Sequence, residues 1–267
     1  MKKAILIIVL YVLMQMLFAY VFMILGMLLT NVTEMSQFMK TPAYFWAFGA
    51  CLFVVDIVMV SLVYIILNKN SLHSVSFYLK VPRSRDIALS TLAFIPLAFL
   101  INGVGEFMNT PKFIENVYAG MTSNWLCVLC VIIVNPIAEE FCFRGGVLAS
   151  LHSSPKYRRY ALVISSFGFG LLNLTPDQIL VGFMFGMFLG WVFLRTQSLL
   201  VPIICRIFDN IIAFVTTLIF GPETKMIEMF PSHMVYYISL AISIVMAFLF
   251  FCLMKKYLYQ SKIEEEI

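Results

Sequence analysis

The chain reads as an all-α, polytopic membrane protein with about eight transmembrane helices, and three observations support this. Of its 267 residues, 62% are hydrophobic and only 12% are charged, with a mean hydropathy of +0.96. That is too little charge for a soluble domain of this length. The apolar residues fall in runs close to the roughly 20 residues that a helix needs to cross a bilayer core. The lysines and arginines collect on alternate connections between those runs, as the positive-inside rule requires of a chain threaded back and forth through a membrane.

The first run, 4–29, follows Lys2 and Lys3. It is longer than the apolar core of a signal peptide and has no small-x-small cleavage site, so it is read as a first span. The remaining spans are expected at roughly 43–67, 87–104, 124–148, 160–175, 178–195, 200–220 and 236–254. The connections are brief, with no internal repeat, low-complexity tract or room for an extramembrane catalytic domain, so residues 1–267 form a single membrane domain. With the N-terminus in the cytoplasm, thirteen basic residues fall on the inner side, and only Lys40, Lys112 and Lys225 on the outer. Both termini are then cytoplasmic, and Glu264, Glu265 and Glu266 form a solvated end.

The net charge of +4 comes from short juxtamembrane clusters, with no basic face to line a nucleic-acid groove. All six cysteines (51, 127, 130, 142, 205 and 252) fall in apolar segments, which favours buried reduced thiols over a disulfide framework. Cys127 and Cys130 form a C-x-x-C inside a hydrophobic helix and are read as two packed thiols.

Ionisable groups within spans are costly unless paired or hydrated, so each is a functional candidate. They are Asp56, Glu139, Glu140, Arg144, Arg206 and Asp209. Asp56 stands by itself in the second span and is read as a structural tie to a basic residue elsewhere. The others form parts of three short strings. In Glu139-Glu140-Phe141-Cys142-Phe143-Arg144-Gly145, Glu140 and Arg144 stack one helical turn apart as an ion pair, and Glu139 is left to face a cavity. Pro136 just upstream removes a backbone donor and marks a kink beside the site. The second string runs from Phe169 to Asn173, and the third is Arg206-Ile207-Phe208-Asp209-Asn210. Three polar strings on three helices point to a shared site rather than to separate ties.

In this order the strings resemble the CPBP family, which holds the CAAX prenyl endopeptidases and the Abi, or bacteriocin self-immunity, proteins. The family pattern is E-E-x-x-x-R, then F-x-x-x-H, then H-x-x-x-N or D, on helices of an eight-span domain. Glu139, Glu140, Arg144, Gly145, Phe169 and Asn210 match it, and Pro202 falls where such segments carry a proline. The resemblance covers about residues 124–215. Where the family has its two histidines, this chain has Asn173 and Arg206, and His73, His152 and His233 fit neither slot.

The resemblance implies an intramembrane endopeptidase in which the first glutamate and first histidine activate water, and the second histidine and the asparagine hold the oxyanion. A metal is sometimes invoked as well. Carried over, Glu139 is the base and Asn210 an oxyanion donor, while Glu140, Arg144, Asn173 and Arg206 complete the site. Without the imidazoles no cofactor is expected. A carboxamide binds zinc poorly, a guanidinium does not bind it, and two glutamates make a weak site. Arg206 is expected to pair with Glu139, Glu140 or Asp209 in place of a metal. The leading expectation is a non-hydrolytic or weakly active member in a bacterial cytoplasmic membrane. It binds a membrane peptide or protein in self-immunity, envelope regulation or peptide processing. The alternatives are a metal-independent endopeptidase using Glu139, with Arg206 and Asn210 at the oxyanion, and an ion-coupled transporter.

Overall fold

The protein, represented by a computed structural model, is described over residues 1–68, 80–105, 124–172, 175–221 and 224–258, and those residues form helices and no strand. The helices are α1 (Lys2–Thr30), the short α2 (Met35–Phe38), α3 (Pro42–Asn68), α4 (Ser84–Gly105), α5 (Trp125–His152), α6 (Ala161–Gly170), α7 (Pro176–Thr196), α8 (Leu200–Phe220) and α9 (His233–Tyr257). Among the described residues, seven are long and apolar enough to cross a membrane: α1, α3, α4, α5, α7, α8 and α9.

The fifth expected span, 160–175, is instead the ten-residue α6. At 1.5 Å per residue it is about 15 Å long, half the thickness of a hydrocarbon core. It can be short because it packs along α7 instead of standing in lipid. A Cβ on Gly186 would lie 2.9 Å from the Ser166 backbone, one on Gly190 2.6 Å from a Leu162 methyl, and one on Gly170 2.6 Å from the Ile179 carbonyl oxygen. Small residues thus let the two backbones approach closely, the usual basis of helix association in lipid. α6 ends at Gly170, and Pro176 opens α7 at a position where its missing N–H costs nothing.

The basic ends of the helices gather at one end of the bundle. Near the start of α1, Lys3 donates to the Ile66 carbonyl near the end of α3. Arg85, opening α4, donates to the Tyr257 carbonyl closing α9 at 2.7 Å, and Ser198, after α7, donates to the Lys80 carbonyl at 2.8 Å. These are the connections that the charge pattern assigns to a single membrane face.

One hydrophobic cluster joins α1, α3, α5 and α6 around Tyr11, Met59, Phe143 and Phe169, and a second joins α4, α7, α8 and α9 around Phe94, Leu189 and Cys205. By contrast, α1 and α9 expose long apolar surfaces, including Leu13, Leu17, Phe248 and Leu249. That is the pattern of a lipid-facing helix. All six cysteines are unpaired. Five are buried and Cys252 on α9 is exposed, so the expectation that every thiol is buried fails there, because only α4 covers that helix extensively.

Candidate functional site

The site is built on α5, which is not regular along its length. It has π-helical geometry over Cys130–Val134 and again over Phe141–Leu148, with an α-helical segment, Asn135–Glu140, between them. Such π stretches recur at functional sites because they rotate the following side chains relative to the preceding ones. The start of α5 is fixed to α3 by two thiols. Cys127 donates to the Phe45 carbonyl at 2.9 Å and Cys130 to the Gly49 carbonyl at 3.4 Å.

Glu139 and Glu140 end in different surroundings. Glu140 pairs with Arg144 one turn on, Oε1 to Nη1 at 2.9 Å, and both side chains are sealed from solvent. The contact is Coulombic, since neither carboxylate oxygen of Glu140 nor either terminal nitrogen of Arg144 has a hydrogen-bond partner among the described residues. Glu139 accepts from the Asn135 side-chain amide at 2.9 Å on Oε1 and from Arg206 Nη2 at 3.1 Å on Oε2. Arg206 also lies 3.6 Å from Asp209, one turn along α8. This second network stays slightly open, with the Glu139 and Arg206 side chains 10% and 15% exposed.

Both guanidinium groups lie over the ring of Phe169 of α6. The Arg144 group lies 4.4 Å from its ring centroid, and the Arg206 group lies 5.6 Å from it. One aromatic ring therefore gives both cations partial desolvated stabilisation and brings α5, α6 and α8 to one point. Phe143 packs edge-on against Phe169, and Tyr11 edge-on against Phe143, extending the contact to α1.

Asn210 is the residue whose neighbours differ most from the sequence expectation. One N–H of its amide donates to the Val131 carbonyl in the first π stretch at 2.7 Å, so half of its donor capacity is engaged with the protein backbone. Asn173 lies outside the described residues. Asp56, expected to pair with a basic residue, instead accepts from the Tyr11 hydroxyl at 3.0 Å, and its other oxygen has no partner among the described residues. Sequence reasoning missed Asn135. Its signal was present four residues before Glu139, on the same helix face.

A guanidinium occupies the mouth of the carboxylate, and among the described residues no three His, Cys, Asp or Glu side chains gather to bind a metal.

A family model described as type II CAAX prenyl endopeptidase, Rce1-like, matches residues 121–212, roughly a third of the chain. Glu139, Glu140, Arg144, Phe169, Asn173, Arg206 and Asn210 all lie within that stretch. No curated protein and no solved structure matches the chain.

Proposed function

Taking residues 121–212 as an Rce1-like region of the CPBP intramembrane protease family, we propose that this protein binds a hydrophobic peptide or membrane protein segment at the Glu139–Arg206 site without hydrolysing it. The observation that carries the reading is the state of Glu139. A general base needs a carboxylate free to take a proton from a nearby water, whereas here each Glu139 oxygen already accepts one bond, from Asn135 and from the Arg206 cation, and that cation favours the ionised carboxylate over the protonated one. The asparagine that would hold an oxyanion gives one of its two amide hydrogens to Val131. With Asn173 and Arg206 read in the slots where the family pattern has histidine, neither slot supplies an imidazole to share a proton with Glu139. What survives is a slightly exposed amphipathic cluster, with a fixed cation and two carboxylates set beside Phe169 and Phe185. Such a surface suits the backbone carbonyls and amides of an unwound membrane segment. The charge pattern supports a cytoplasmic placement of both termini.

The rival reading, metal-independent cleavage, is favoured by one observation: the Glu139–Arg206 network keeps some exposure while the Glu140–Arg144 pair has none. Reconstitution with a hydrophobic peptide bearing a photo-crosslinker separates the two. The proposal expects crosslinks to segments around Glu139 and Arg206, with the peptide recovered intact. It also expects cleavage to appear when Asn173→His and Arg206→His are installed together. Cleavage by the parent protein that disappears in Glu139→Gln overturns it.

A further inference from the structure

We infer that Asn210 is a positioning residue. It supplies from α8 the backbone donor that Pro136 takes away from α5, and so fixes the break that aims Glu139. The inference is independent of what the site binds. In the first π stretch the backbone bonds run from residue i to i−5, and the last of them is Asn135 N–H to the Cys130 carbonyl. The next bond in that ladder would run from residue 136 to the Val131 carbonyl. Residue 136 is proline and has no N–H. The Val131 carbonyl instead accepts from the Asn210 side-chain amide at 2.7 Å, across 79 residues of sequence. A carbonyl orphaned inside a membrane protein costs several kcal/mol where no water reaches it, and a side chain on a neighbouring helix is one of the few remedies there. Asn135 and Glu139, the two residues that meet on one carboxylate, lie just before and just after this break. Ser165 of α6 donates in the same way to the Phe143 carbonyl in the second π stretch at 3.0 Å. Both irregular stretches of α5 are thus bonded by side chains from other helices.

Thermal unfolding of four purified proteins, the parent, Asn210→Ala, Pro136→Ala and the double variant, tests this. Asn210→Ala is expected to lower the midpoint by several degrees, and Pro136→Ala, which restores a backbone N–H, to shrink that loss to less than half. Where Asn210→Ala alone does not fold, its recovery in the Pro136→Ala background is the expected result. Asn210→Asp adds a readout that loss of packing would not move. A carboxylate cannot donate to Val131 but a protonated carboxyl can, so this variant should regain stability as pH falls while Asn210→Ala does not. Equal losses in both proline backgrounds, or an Asn210→Asp variant with the pH response of Asn210→Ala, overturn the inference.

Discussion

Two neighbouring carboxylates on α5, Glu139 and Glu140, make contrasting ion pairs. Glu140 closes on Arg144 within its own helix and is sealed. Glu139 reaches across to α8, shares its oxygens between Asn135 and Arg206, and stays partly open. The first pair was legible from i, i+4 spacing because its geometry is set by one helix. The second depends on two helices separated by 67 residues. The lesson is one of division of labour. The sealed pair holds α5 against Phe169, and the open network presents charge where a partner can reach it.

The largest expected effect comes from breaking the sealed pair. Arg144→Met leaves Glu140 as an uncompensated buried anion and should cost about 3–5 kcal/mol, read by denaturant unfolding in detergent micelles. Adding Glu140→Gln should recover most of that loss. A double variant no more stable than Arg144→Met would show that the pair is not the reason for the cost.

Phe169 sharpens the comparison because both cations rest on it. Phe169→Leu removes one aromatic face from each and should cost about 1–3 kcal/mol. Its effect should be smaller in an Arg144→Met background, since one of the two cations is then absent. A cost unchanged by that background would reduce Phe169 to ordinary packing.

The smallest expected effect is at Asp209, whose contact with Arg206 is long and partly exposed. Asp209→Asn should change stability by no more than about 1 kcal/mol. A loss as large as that of Arg144→Met would mean that Asp209, rather than Glu139, is the principal partner of Arg206.

Much of this arrangement could be read from composition and spacing, because lipid penalises every polar atom left unpaired. Glu139, Glu140, Arg144, Arg206 and Asp209 stood out as charges in apolar runs, and the structure brings them to one region around Phe169. The brevity of α6 was not legible. Hydropathy measures how apolar 160–175 is, but not that Gly170, Gly186 and Gly190 let α6 pack against α7 over only ten residues. The π stretches were equally hidden. Pro136 signals a lost bond, but which helix replaces it is decided by tertiary packing, through Asn210. The sharing of Glu139 between Asn135 and Arg206 likewise needed coordinates, since spacing names neighbours and not which oxygen each one takes.

Arg206 occupies Glu139, and a double-mutant cycle on stability tests that contact most directly. Glu139→Gln, Arg206→Met and their combination should show a coupling of about 1.5–3 kcal/mol, the range for a hydrogen bond between charged groups. Single-variant costs that simply add, to within about 0.5 kcal/mol, would mean that the two side chains do not engage each other and that Glu139 is free to act as a base.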